Sequence, residues 1–223
     1  MDFIYKKPVI SLSGSFFSNT NLIKAYAKVV KKIKNKLEFI CIVTGGGEIA
    51  RKYISLAKEL GLSRKKQDEM GIAITRVNAL LFGMLFNFTE IPKTYEQAVE
   101  IINKYKFCIC GGMVPKQSTD KVAVDIAVMC NADIMINLTK VEGVYNKDPK
   151  KPGAKLLRSL TYKQLREILK NTSQTPGNYP LFDLKAIKIA EKNSLPIIIA
   201  NGTKPENLIK ILKGEKIGTF ISF

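Results

Sequence analysis

The chain contains no histidine and no tryptophan, only five arginines, and about half as many acidic as basic residues, 19 against 36. Without histidine there are no Ser-His or Cys-His nucleophile pairs and no imidazole metal ligands. Any catalysis must use carboxylates, lysine, arginine, hydroxyls or backbone amides. Cys41, Cys108, Cys110 and Cys130 all lie in apolar segments and none forms a C-x-x-C pair. The expectation is buried thiols, not a disulfide framework or a zinc site. No apolar run approaches the roughly 18 residues of a membrane span. The longest, around residues 78–88, is broken by asparagine and glycine. The first eight residues lack an apolar core followed by a cleavage site. These absences lead to the expectation of a cytoplasmic protein with no membrane partner.

The formal charge of +17 invites comparison with nucleic-acid binders. Apart from Arg51, Arg64, Arg76, Arg158 and Arg166, however, every basic residue is a lysine. The lysines are spread over most predicted helices, with no basic tail and no patch interleaved with aromatics. Dispersed lysine reads as a solvated surface, and abundant lysine in ion-pair networks also accompanies heat tolerance. No nucleic-acid partner is expected.

With 223 residues and 46% hydrophobic content, a substantial core is available. Residues 38–43 form a β-branched and aromatic run that ends in Thr44-Gly45-Gly46-Gly47. The apolar residues beyond it, Ile49, Tyr53, Leu56, Ala57 and Leu60, recur at helical spacing. This is a buried strand feeding a helix. Pro8 to Ser13 runs into Ser13-Gly14-Ser15, and residues 107–110 run into Gly111-Gly112, so the unit recurs. A further strand at 133–138 ends at Thr139. Helices are predicted over about 20–36, 64–88, 94–105, from 119, over 183–193 and over 205–213, with a short one marked by Leu165, Ile168 and Leu169. Strands are predicted at 195–200 and 219–223, and a polar loop at 171–180. This grammar predicts an α/β fold, a mostly parallel twisted sheet between two helical layers, with ligands at the carboxyl ends of its strands. No repeat or linker forces a boundary, and one domain over 1–223 is expected.

Glycine after a strand permits close backbone approach to a ligand, and the following helix start offers unpaired N–H groups to an anion. One such junction is a weak signal, because glycine there is often only a turn. Three on one sheet edge suggest two phosphorylated ligands or one long polyphosphate. G-x-x-x-x-G-K-[ST] is absent and G-x-G-x-x-G is not properly formed, so a different nucleotide fold is required.

The ordered set Ser13-Gly14-Ser15, Val43 to Arg51, Asp68-x-x-Gly71-Ile72, Thr75-Arg76-x-Asn78-Ala79, Gly111-Gly112-x-x-Pro115-x-Gln117-Ser118-Thr119 and Thr139-x-Val141-Glu142-Gly143-Val144-Tyr145-x-x-Asp148-Pro149 covers essentially the whole chain. It resembles the amino acid kinase superfamily and, within it, the archaeal uridylate (UMP) kinases. The resemblance implies a three-layer αβα sandwich and phosphoryl transfer from Mg-ATP to UMP, giving UDP and ADP in pyrimidine nucleotide biosynthesis. The N-terminal part would take the acceptor nucleotide and the C-terminal part ATP. Gly14, Ser15, Gly47 and Arg51 would meet the ATP phosphates, with Ser15 and Arg51 at the transferred group. Thr139, Tyr145 and Asp148 would hold the adenosine end. Gly46, Asp68 and the segment Met113, Val114, Pro115, Lys116, Gln117, Ser118 and Thr119 would hold UMP. Mg2+ would travel with ATP, without dedicated protein ligands, and relatives imply a homo-oligomer, commonly a hexamer. Many relatives carry a lysine in the first glycine loop or a charged residue in the strand before it. Those positions here are Ser15 and Ser11, which leaves Lys6, Lys7 and Lys116 as alternative cations. Glu142 stands where aspartate is more usual.

Each motif also has a plainer reading. Asp68 sits in a charged run, Tyr145 fits a core position, Asp148 before Pro149 is a common turn, and Thr119 and Asp120 are good helix caps. Arg51 is harder to dismiss, because a cation near a helix start is unfavourable unless an anion sits there. Another small-molecule kinase of the superfamily and a nucleotide-binding protein without turnover remain alternatives.

Overall fold

The computed structural model describes residues 2–171 and 182–223. Apart from Asn171, the loop expected at 171–180 lies outside the described residues. Five strands run parallel: β1 (Pro8–Leu12), β2 (Ile40–Thr44), β3 (Phe107–Cys110), β4 (Ile134–Thr139) and β8 (Ile197–Asn201). β9 (Thr219–Ser222) joins β8 antiparallel, and β7 (Ser159–Thr161) joins β9 in parallel, completing the order β3-β2-β1-β4-β8-β9-β7. A separate antiparallel pair, β5 (Val144–Tyr145) with β6 (Leu156–Leu157), follows the end of β4. Neither this pair nor β7 stands out in the sequence, because two- and three-residue strands carry no measurable periodicity.

Alternating strand residues feed two cores, which gives the expected three layers. Val9, Cys41, Val43, Cys108, Met135 and Ile199 face the helices α4 (Tyr95–Tyr105), α5 (Thr119–Met129), α6 (Tyr162–Asn171) and α7 (Leu184–Lys192). Ile10, Leu12, Ile42, Ile109, Ile136 and Ala200 face α1 (Thr20–Ile33), α8 (Glu206–Leu212) and residues Ala79 and Phe82 of α3 (Arg64–Met84). Because both faces are covered, the parallel strands read as near-continuous apolar runs. The buried Tyr26 hydroxyl of α1 donates to the Gly202 carbonyl beyond β8 at 2.6 Å, so this polar tip is satisfied inside the core.

Side chains fix most helix starts. Asn19, Ser63, Thr94, Ser118 and Asp183 each accept a backbone N–H at the head of α1, α3, α4, α5 and α7 respectively. The cap of α5 is therefore Ser118, one residue before Thr119 and two before Asp120, the caps expected. The helix α2 (Gly47–Glu59) has Gly46 at its N-cap and so no side-chain cap.

The helical periodicity of α2 does not mark its buried face. Ile49, Tyr53, Leu56 and Leu60 are exposed, Leu60 to 76%; of the recurring apolar residues only Ala57 is buried, together with Ala50. On α3, which packs against α2, Val77, Leu81, Met84 and Leu85 are likewise exposed, while Thr75, Asn78, Ala79 and Phe82 point inward. The helical periodicity is present in the sequence, but within the chain it faces solvent.

Candidate active site

The strand order reverses between β1 and β4, where a crevice is expected at the carboxyl ends of a parallel sheet. A cleft of about 510 Å³ opens there, with Ser11 and Ser13 from β1 and its end, and Asn137 and Thr139 from β4, on its wall. The glycine junctions after β1 and β2 form one side. A Cβ on Gly14 would lie 2.2 Å from the Gly47 nitrogen, and one on Gly47 would lie 2.3 Å from the Gly14 carbonyl oxygen. The two loops therefore interlock backbone against backbone. Gly47 also has φ +64°, a left-handed conformation that favours glycine. Ser13 and Ser15 share a hydroxyl hydrogen bond of 2.9 Å beside this junction.

The helix α3 holds the glycine loops in place. Asn78 donates its amide to the Gly45 carbonyl at 2.8 Å, and the Gly112 N–H donates to the Thr75 hydroxyl at 2.6 Å. The Thr44 hydroxyl donates to the Thr75 carbonyl at 2.8 Å, and Arg76 Nε donates to the Gly112 carbonyl at 3.1 Å. The Thr75-Arg76-x-Asn78 motif thus clamps the β2 and β3 junctions to one helix. The sequence marks this motif but does not reveal its task, since the contacts join residues more than thirty positions apart.

The opposite wall is the segment after Gly112. Val114, Lys116, Gln117, Ser118 and Thr119 line the cleft. Lys116 takes φ +65°, and its N–H donates to Asp68 Oδ2 at 3.1 Å. Asp68 is therefore no free surface charge, but a tie between α3 and this loop. Gln117 accepts a hydrogen bond from the Tyr95 hydroxyl at 2.6 Å, and Ser118 donates to Asp183 Oδ2 at 2.6 Å.

Of the residues expected at a site, Gly14, Ser15, Gly46, Gly47, Arg51, Asp68, Val114, Lys116, Gln117, Ser118, Thr119 and Thr139 line this one cleft. Four do not. Met113 is buried in the core, and Pro115 is half-buried and does not line the cleft. Tyr145 pairs within the β5 and β6 ribbon, and Asp148 is exposed and accepts the Lys150 N–H at 3.0 Å in a turn. Lys6 and Lys7 are corrected as candidate cations. Both donate their backbone N–H to Asp133, and Lys7 pairs with it at 3.5 Å, at the amino end of β1 away from the cleft. The cations among the lining residues are Arg51 and Lys116.

One lining residue has a chemistry the sequence reading missed. Asp120, in the first turn of α5, accepts the Ser11 hydroxyl at 2.8 Å on the cleft floor. Although the residue shows at the cleft wall, its carboxyl is enclosed. That burial lifts its pKa to about 6, the Ser11 hydrogen bond pulls the other way, and the nearby Asp183 raises it further. An acid in a first turn usually reads as a dipole partner, and that habit hides one that faces a strand.

The family model for the amino acid kinase family matches residues 6–201. The chain belongs to the amino acid kinase family. It is 40% identical over 217 residues to the uridylate kinase of Pyrobaculum islandicum, a match spanning 96% of this chain and 98% of that protein. It is 36% identical over 220 residues to the uridylate kinase of Methanobrevibacter smithii, spanning 96% and 97%. Among solved structures of this amino acid kinase fold, the uridylate kinase of Archaeoglobus fulgidus superposes with a TM-score of 0.88 at 37% identity, covering 97% of this chain and all of that one. The UMP kinase of Bacillus anthracis superposes with a TM-score of 0.81 at 26% identity, covering 98% and 96%.

Proposed function

We propose that this protein is a uridylate kinase that transfers the γ-phosphoryl group of ATP to the phosphate of UMP, releasing UDP and ADP. The observation that carries the reading is the interlocked pair of glycine loops at the uncapped start of α2, facing a second loop across one cleft. The free N–H groups of a helix start and two glycine loops suit phosphate oxygens. In the proposed reaction a UMP phosphate oxygen attacks the γ-phosphorus in line as the bond to the ADP oxygen breaks. Catalysis then rests on positioning and on donors for the phosphoryl charge.

The roles follow from the two walls. Gly14, Ser15, Gly47 and Arg51 take the ATP phosphates, with Thr139, Tyr145 and Asp148 towards the adenosine. Gly46, Asp68 and the segment from Val114 to Thr119 take UMP, with Met113 and Pro115 as its framework. This divides one domain into an N-terminal acceptor part and a C-terminal donor part. The ion carried by ATP would be Mg2+. The cleft offers it hard oxygen donors from Ser13, Ser15, Asp120, Asn137 and Thr139, and no thiol is among its described lining residues. Asp120 and these oxygens would hold the ion, which when bound neutralises charge on the triphosphate. The reading also makes the protein a cytoplasmic member of pyrimidine nucleotide biosynthesis. No helix among the described residues is long and apolar enough to cross a membrane. The exposed apolar residues of α2 and α3 support assembly of copies through that face; the number of copies proposed, a hexamer, follows the family resemblance alone.

Purified protein with Mg-ATP is expected to release ADP with UMP in preference to CMP, AMP and isopentenyl phosphate, and to scatter light as a hexamer. Equal turnover across the panel would refute the acceptor assignment. Nucleotide binding with no turnover would refute the kinase reading in favour of a sensing protein.

A further inference from the structure

Outside the cleft, the sheet brings three thiols together. Parallel pairing of β2 with β3 sets Cys41 opposite Cys108, and the two-residue period of a strand returns Cys110 to the same face. All three are free and buried, and their sulfurs lie within 4.8 Å of one another. The three side chains lie in the same buried layer between the sheet and its helices. No C-x-x-C spacing announces this cluster, because it is built by strand pairing across 67 positions of sequence, from Cys41 to Cys108.

We infer that Cys41, Cys108 and Cys110 form a three-thiolate site for a thiophilic divalent cation of the Zn2+ or Cd2+ type. A metal–sulfur distance of about 2.3 Å in a trigonal arrangement requires sulfurs about 4 Å apart, inside the observed spread. Soft thiolate ligands favour such ions, whereas the oxygen-lined cleft favours a hard one. On binding, each thiol loses its proton to solvent and each sulfur gives an electron pair to the ion, with no change of oxidation state. Three thiolates and a divalent ion leave one net negative charge in the core. The Arg76 guanidinium, which acts electrostatically on Cys110 and donates to the Gly112 carbonyl two residues on, supplies the compensating positive charge. The surrounding core residues, including Ala98, Ile102, Val122 and Ala123, exclude competing water.

The test is titration of the full, reduced chain with Cd2+ alone, following thiolate-to-cadmium absorption in the ultraviolet together with the melting temperature. The expected result is saturation at one ion per chain with a rise in melting temperature, and competition by Zn2+. Cys108→Ala and Cys110→Ala should each abolish the saturable band, whereas Cys130→Ser, at a thiol outside the cluster, should leave it intact. Should an alanine variant not fold, cadmium NMR of the unaltered protein decides, since the resonance moves downfield with each sulfur ligand and must report three. No band, a band that survives Cys108→Ala, or uptake of several ions with a falling melting temperature would overturn the site.

Discussion

Replacing Asp120 by asparagine should make the protein more stable and less active, and the two effects should separate with pH. The enclosed carboxyl has a pKa of about 6, against 3.8 for an unperturbed aspartate, chiefly because burial disfavours its charge. Below about pH 4 it is protonated in both folded and unfolded chains, so its ionisation costs nothing. As pH rises from about 4 to 6 the unfolded chain ionises first and the folded state loses stability, and above about 6 the loss is complete. Linkage puts that loss at up to about 3 kcal/mol, an upper limit because the cleft admits water. Asparagine can still accept the Ser11 hydroxyl through its own side-chain oxygen, and it removes the repulsion with Asp183. Denaturant unfolding of both proteins from pH 3 to 8 should therefore show a gap near zero at pH 3 and a gap of roughly 1–3 kcal/mol in favour of the variant by pH 7. Turnover of UMP at pH 7 should fall, because the charge facing the triphosphate and its ion is gone. A variant less stable than the parent at pH 7, or a stability gap independent of pH, would refute the burial argument.

Two further substitutions separate the walls from their supports. Arg51→Ala should raise the KM for ATP far more than that for UMP in steady-state kinetics, and the opposite pattern would exchange the two ligand assignments. Asn78→Ala removes the donor to the buried Gly45 carbonyl, so thermal or denaturant unfolding should show a loss of about 1–3 kcal/mol. Its accompanying fall in activity should appear for both substrates, because the loop it clamps touches both.

The sequence was legible where chemistry is local. Strand runs ending in Gly14, Gly45 and Gly111 told both the parallel sheet and the edge on which the cleft opens, and the segment after Gly112 was readable as one wall. What stayed hidden depends on pairing at a distance. Thr75 and Asn78 look like ordinary helix residues until α3 lies across two strand ends. Asp120 looks like a helix-start acid until Ser11 meets it. The apolar stripe of α2 has the period of a core helix, and only the fold reveals that Ala50 and Ala57 are what it buries. Lys6 and Lys7 are near Ser11 in sequence but at the other end of the strand. Over a strand rising about 3.3 Å per residue, a few positions are enough to remove a charge from the site.

The charge inventory of the cleft constrains the proposed mechanism further. A nucleoside monophosphate alone brings about −1.5 to −2, and a triphosphate brings more. Against these stand two cations, Arg51 and Lys116, and the wall also holds the carboxyls of Asp68 and Asp120. Like charges about 4 Å apart at an effective dielectric near 20 repel by about 4 kcal/mol, so two cations cannot hold donor and acceptor phosphates in contact. The balance must come from the ion that ATP carries and from backbone N–H groups that cost no reorganisation when the phosphoryl group moves. This gives the interlocked glycine loops a second reason to be glycine. A Cβ at Gly14 or Gly47 would strike the opposite loop, and it would also push those N–H groups away from the oxygens they would serve. In the proposed division of the cleft Arg51 is then the cation on the donor side, beside the fixed dipoles of the glycine loops. Its loss should therefore weaken the hold on the donor nucleotide before it disturbs the acceptor.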